Sequence, residues 1–205
     1  MRKIILTLTL IICMFSFVGC QNNSQRIREL NINNTDVAVL TIFADNGDSE
    51  SSFLYKNYGH SFLSIENVSL NNFVVGDRIV LPNETITIGL WPIKEHFGIW
   101  FNVESNYINE YNKYSERVSI SVGINLDDIA KVSKIIDEND NWTPMFNCSS
   151  FSLKVWNSVA QDSEKLNVGG FISPNNLVKE IKLFKNYEIA RECKTTTNIS
   201  YYKEG

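Results

Sequence analysis

Cysteine and histidine are scarce in this chain, and basic blocks, repeats and long apolar runs are missing from its body. Of four cysteines, two fall in the first twenty residues, which leaves only Cys148 and Cys193 further along. Two cysteines are not a disulfide framework, and with no C-x-x-C pair and no cluster of His with Cys there is no zinc site to read. Two histidines, His60 and His96, limit any chemistry that needs an imidazole. The net charge is −4, and no run of Lys and Arg stands out, which excludes nucleic acid as a partner class. The one long apolar stretch, Ile4 to Val18, is too short and wrongly flanked for a membrane-spanning helix.

What is present at the N-terminus has the pattern of an export signal. Arg2 and Lys3 precede the apolar stretch, which ends in "FVGC". That ending resembles a bacterial lipobox, which implies a diacylglycerol on Cys20 and cleavage just before it. The expectation is a signal over residues 1–19, and then a lipoprotein held on a membrane surface of the cell envelope by its anchor rather than by a span. Such a protein faces the outside of the cytoplasmic membrane, or the periplasm where an outer membrane exists. Losing Arg2 and Lys3 takes the net charge from −4 to −6. Residues 20–36, polar and rich in Asn, read as a tether. Residues 37–205 then form one domain of ordinary size, and 43% hydrophobic with 12% aromatic residues suits a folded globule.

Hydrophobic patterning places strands first. "VAVLTIFAD" (37–45) is β-branched and apolar, a buried strand. "HSFLSIEN" (60–67) alternates Phe62, Ser64 and Glu66 against Leu63, Ile65 and Asn67, a strand with at least one buried face. "NNFVVG" (71–76), "ETITIGLW" (84–91) and "RVSISVGI" (117–124) add three more, and "ISYYK" a short last one. Helices follow. Asn125 caps a segment with Asp127 and Asp128 in its first turn and Ile129, Val132 and Ile136 on one face. "CSSFSLKVWNSVA" repeats Phe151, Val155 and Val159 every four residues, widened by Leu153 and Trp156. Ser173 and Pro174 open a third helix. Strands followed by helices predict an α+β domain.

The start of the second of these helices poses the chemical question. A cysteine in a first turn sits where unpaired N–H groups and the helix dipole favour an anion, so its thiolate forms more readily. Cys148 there reads three ways: a nucleophile, a partner for Cys193, or a small buried side chain. A nucleophile needs a base, and His60, at the start of a strand after Gly59, is placed to project from a sheet end toward a helix N-terminus.

"YGHSFLSIEN" followed far downstream by "NCSSFSLKVWN" resembles the circularly permuted branch of the NlpC/P60 and papain-like superfamily, which includes lecithin:retinol acyltransferase-like proteins and YaeF/YiiX-type amidases. There the histidine strand precedes the cysteine helix, and the cysteine commonly follows Asn and precedes an aromatic, as in "NCSSF". The resemblance covers roughly residues 37–202 and rests mainly on those two short motifs. It implies a papain-like antiparallel sheet against a cysteine-bearing helix, with Cys148 as nucleophile and His60 as base. The third residue is expected on the strand after the histidine strand: Asp77 if that strand is "NNFVVGDRIV", Thr85 or Thr87 if it is "ETITIGLW", with His96 a further option. The Cys148 backbone N–H, with a hydroxyl from Tyr58 or Tyr55, would bind an oxyanion. The implied activity is that of a thiol hydrolase or acyltransferase acting on an amide or ester, without cofactor or metal, on a peptidoglycan peptide or a lipid-linked substrate. The competing reading is a non-catalytic surface lipoprotein of the same fold, which a Cys148–Cys193 disulfide would favour. Other residues have plain readings. His96 in "KEHFG" reads as a loop residue, Glu104 in "WFNVE" as an acid bonded to nearby backbone, Asn147 as a helix cap. Trp91, Trp100, Trp142 and Trp156 read as core, with one or two free to line a groove.

Overall fold

The computed structural model describes residues 35–47, 59–193 and 198–204. The signal, Cys20, most of the tether, and Tyr55 and Tyr58 lie outside the described residues. Seven strands hydrogen-bond in the order β8-β7-β1-β2-β5-β6-β9, every neighbour antiparallel. They are β1 (Ala38–Asp45), β2 (His60–Asn67), β5 (Thr85–Ile93), β6 (His96–Phe101), β7 (Val118–Ile124), β8 (Glu188–Ile189) and β9 (Ser200–Tyr201). The strands β3 (Phe73–Val75) and β4 (Arg78–Val80) pair only with each other, as a separate hairpin. Four α-helices complete the described residues: α1 (Val103–Tyr111), α2 (Leu126–Glu138), α3 (Cys148–Val159) and α4 (Pro174–Ile181). This is a mixed α+β fold, as the patterning predicts, with an antiparallel sheet. None of its described helices is long and apolar enough to cross a membrane.

Besides the β3–β4 hairpin and the short β8, which the sequence reading lacks, two elements differ from it. "HFGIWF" is strand β6 rather than a loop, and α1 interrupts the run of strands. Both had weak local signals. Strand β6 carries a glycine in its middle, and α1 has an N-cap residue, Asn102, in the left-handed region (φ 63°) with no side-chain cap. Asn102 instead turns its side chain back to the sheet, where Oδ1 accepts from Thr87 N at 3.0 Å. Tertiary packing, not capping, fixes where α1 begins.

The central strands are buried on both faces, and the pleat sorts their residues into two clusters. Leu40, Ile42, Ala44, Leu63, Ile65, Ile88 and Leu90 join Phe151, Val155, Trp156, Val132, Ile136, Leu177 and Ile181 in the main core. Phe43 and Phe62, on the alternate parity, form a second cluster with Tyr114 and Cys193, against Tyr107 and Ile108 around α1. The helices expected from the sequence begin where expected. Asn125 accepts from Asp127 N and Asp128 N, and the Asp128 side chain returns the bond to Asn125 N, a capping box. Ser173 accepts from Asn176 N ahead of α4.

The register fixes the two ends of the sheet. Asp45 stands opposite His60, and Ala38 opposite Asn67. His60 therefore opens β2 at one end, about 23 Å of extended chain from Asn67 at the other.

Candidate active site

Gly59 sets the entrance to β2. Its φ of +76° suits glycine, and a Cβ there would lie 2.3 Å from Asp45 O. The turn delivers His60 onto the face of Phe62, while Ser61 takes the parity of Leu63 and faces the helices. His60 is buried, 5% exposed. Aromatic rings surround it: Trp91 at 4.0 Å between ring centres, Tyr114 at 5.8 Å and Phe62 at 6.0 Å.

Helix α3 brings the cysteine. Asn147 is its cap in extended conformation, with Oδ1 accepting from Ser149 N at 2.9 Å and Ser150 N at 3.2 Å. Those bonds leave the Cys148 N–H outside the cap, at the positive end of the helix. Nδ2 of Asn147 also donates to Ile172 O at 3.3 Å, tying the loop before α4 to the start of α3. Phe151, Val155 and Trp156 anchor the helix in the core, and Ser61 Oγ donates to Ser149 Oγ at 3.0 Å across the helix–sheet contact.

Cys148 and His60 are electrostatically coupled. Burial works to raise the Cys148 thiol, but the His60 imidazolium, a hydrogen bond from that ring, the Ser61 backbone N–H and the Ser149 hydroxyl outweigh it, so the thiol falls from 9.0 to about 7. Burial opposes the charged His60 ring, yet the Cys148 thiolate and the Glu104 carboxylate together raise it from 6.5 to about 9. The pair thus favours thiolate and imidazolium over two neutral groups.

Glu104 holds the far side of the ring. It is the second residue of α1 and is fully buried. Its Oε1 lies 2.9 Å from His60 Nε2 and accepts from Trp91 Nε1 at 2.6 Å. With Nε2 at Glu104, Nδ1 is the ring nitrogen left for the thiol. Oε2 has no hydrogen-bond partner among the described residues. The first turn of α1 favours the negative charge there. Gly89 makes the space, since a Cβ on it would lie 1.7 Å from Glu104 Oε1.

The residues expected in third place stand elsewhere. Asp77 lies on the separate β3–β4 hairpin, where Oδ2 accepts from Lys203 N at 2.7 Å and Oδ1 is 3.5 Å from Arg78 Nε. The strand beside β2 is β5, running antiparallel, and Leu63 pairs with Ile88. Continuing that register puts Trp91 level with His60, whereas Thr87 pairs with Ser64 and Thr85 with Glu66, toward the opposite end. Thr87 Oγ1 accepts instead from Ser105 N at 3.5 Å. His96 pairs with Asp140, Nε2 to Oδ1 at 2.7 Å, and stacks on Tyr201 at 4.9 Å between ring centres. So the neighbouring strand supplies an indole and the following helix supplies the carboxylate. The signal for Glu104 was Gly89: a glycine inside "TITIGLW" marks a point where another group approaches the backbone closely.

Cys193 is no partner for Cys148. Both cysteines are free thiols, and Cys193 is buried beside Phe43, Phe62 and Tyr114. Burial pushes its thiol up to about 12, so it stays protonated. No group of three or more His, Cys, Asp or Glu side chains among the described residues is arranged to hold a metal ion.

The arrangement can perform acyl transfer: a thiolate at a helix N-terminus, an imidazole within its reach, and a buried carboxylate fixing the ring. No protein-family model matches the chain, and no curated protein or solved structure is significantly similar to it.

Proposed function

We propose that the chain is a cysteine hydrolase that cleaves an amide or ester through Cys148, His60 and Glu104. One observation carries this reading: the thiol at the start of α3 and the imidazole at the start of β2 shift each other toward the ion pair, with Glu104 Oε1 2.9 Å behind the ring. The Cys148 thiolate attacks the carbonyl carbon, and the carbonyl π electrons pass to oxygen. The Cys148 N–H donates to that oxyanion. Collapse expels the amine or alkoxide, which takes the His60 proton, and leaves a thioester on Cys148. A water then attacks the thioester as neutral His60 accepts its proton. The acid is released and the thiolate–imidazolium pair returns. Glu104 keeps one tautomer and one ring orientation throughout.

The family expectation joins this proposal. The order of histidine strand before cysteine helix, with "GHSFLSI" and "NCSSF" now at the two interacting termini, supports placement in the permuted NlpC/P60 branch. The export pattern ending at Cys20 supports a lipid-anchored protein of the cell envelope, with a peptidoglycan peptide as the substrate class tested first and a lipid-linked amide or ester second. The test is hydrolysis of wall peptides and of acyl amides and esters by the wild-type chain and by Cys148→Ala. Loss of turnover in Cys148→Ala on every substrate the wild type cleaves is the expected result. Full activity in that variant overturns the mechanism.

A further inference from the structure

Two serines stand beside the Cys148–His60–Glu104 chain. Ser61 is the second residue of β2 and Ser149 the second of α3, and both are fully buried (0% exposed). Hydroxyls in a helix–sheet contact cost free energy unless they are paired, and alanine fits the same space. Buried hydroxyls are not always paired in this fold, because Ser119 Oγ and Ser152 Oγ have no partner among the described residues. Ser61 and Ser149, in contrast, are aligned. Ser61 Oγ donates to Ser149 Oγ at 3.0 Å. That direction leaves the Ser149 proton for another acceptor, and Cys148 Sγ lies 4.0 Å from Ser149 Oγ, at the long end of a sulfur hydrogen bond. The Ser61 backbone N–H also favours the Cys148 thiolate.

We propose that Ser149, its hydroxyl aimed by Ser61, is a positioning residue that holds the Cys148 thiolate and locks the histidine strand to the cysteine helix. The inference rests on Cys148 being the nucleophile. Its logic is that β2 carries both the base and one arm of this contact. The strand therefore cannot slide along α3 without breaking the bonds that hold the sulfur. A hydrogen bond to the thiolate also has a cost. A stabilised thiolate is more abundant at low pH but less nucleophilic, because nucleophilicity falls with pKa at a Brønsted slope of about 0.4–0.5.

That trade-off provides the test. Rates of Cys148 alkylation by iodoacetamide are measured from pH 5 to 10 and assigned by peptide mass mapping, for the full chain and for Ser149→Ala. A charge-assisted hydrogen bond of ordinary strength shifts the midpoint by about one pH unit. Ser149→Ala then alkylates about threefold more slowly than wild type at pH 6 and about threefold faster at pH 9. Ser61→Ala removes the aim from the strand side and shifts the profile in the same direction. Ser61→Thr keeps the hydroxyl on a strand position and restores the wild-type profile. If Ser149→Ala fails to fold, the two Ser61 variants carry the test alone. Profiles that coincide with wild type, or that drop by one factor at every pH, overturn the positioning role. A wild-type Cys148 with no inflection near pH 7 instead overturns the nucleophile reading beneath it.

Discussion

Glu104 Oε1 sits 2.9 Å from His60 Nε2, although the two residues belong to a helix and a strand separated by 44 positions of sequence. The same oxygen accepts from Trp91 Nε1 at 2.6 Å, so one carboxylate oxygen holds both the imidazole and the indole tilted against it. A buried carboxylate of this kind is costly unless its charge is used. Here the positive charge that uses it is the His60 ring, which burial alone would keep neutral. The thiolate and the carboxylate both favour the imidazolium.

Glu104→Gln removes the charge and keeps the shape. The imidazolium loses one of its two anions, so the Cys148 alkylation midpoint moves up from about 7. Turnover falls by roughly 10²-fold, at the low end of what general acid–base catalysis contributes. The new amide NH2 is buried without an acceptor, which costs about 1–3 kcal/mol of stability. Urea unfolding and the alkylation profile together separate the two effects. An unchanged midpoint would remove Glu104 from the site.

The thiolate–imidazolium pair sets a pH window. Cys148, lowered to about 7, is protonated below that value, and His60, raised to about 9, loses its proton above it. The rate kcat/KM is therefore expected to rise through pH 7, as thiolate forms, and to fall through pH 9, as the proton donor for the leaving group disappears. With an activated ester, whose leaving group needs no proton, the upper limb flattens while the lower limb stays. A lower limb near 9 for both substrates would mean an ordinary, unpaired thiol.

Gly89→Ala tests how tightly the carboxylate is built in. The added Cβ would meet Glu104 Oε1 at 1.7 Å and Trp91 Nε1 at 2.8 Å, so the acid must leave His60 or the strand must move. Overpacking of this kind costs about 1–3 kcal/mol, read as a lower unfolding midpoint. Pairing it with Glu104→Ala removes the closest clash, so the double variant is more stable than the two single losses predict. Strict additivity would show that the two sites are not in contact.

Much of the fold was legible in the sequence, and so were two members of the candidate site. Period-two alternation in "HSFLSIEN" and "RVSISVGI", and capping chemistry at Asn125, Asn147 and Ser173, each lie in one short segment, and each describes its own element correctly. Cys148 and His60 were marked by position, at the first residue of a helix and of a strand. Glu104 was not, because a carboxylate that reaches a histidine from a different element leaves no local pattern. Asp77 is a candidate only where the next segment in sequence is also the next strand in the sheet. The β3–β4 hairpin breaks that assumption by leaving the main sheet, so that β5 takes the place beside β2. Only the register of β2 on β5 shows that Trp91, and not a threonine, stands level with His60.

With two histidines in the chain, substitution of each distinguishes base from scaffold. His96 bonds Asp140 Oδ1, which also accepts from Ile99 N at 2.7 Å, and Trp142 N donates to Phe97 O at 3.0 Å. These contacts fasten the segment that leads into Cys148 onto β6. The pair is partly exposed, with side chains 22% and 17% accessible, so it contributes about 0–1 kcal/mol. His96→Asn should lower the unfolding midpoint slightly and leave the Cys148 alkylation midpoint near 7. His60→Asn should do the reverse in kind: the thiol loses its cation, burial then dominates, and the midpoint rises toward or above 9.0, the ordinary cysteine value. Hydrolysis follows the second substitution and not the first. If His96→Asn moved the midpoint and His60→Asn did not, the base would have to be sought across the sheet, on β6.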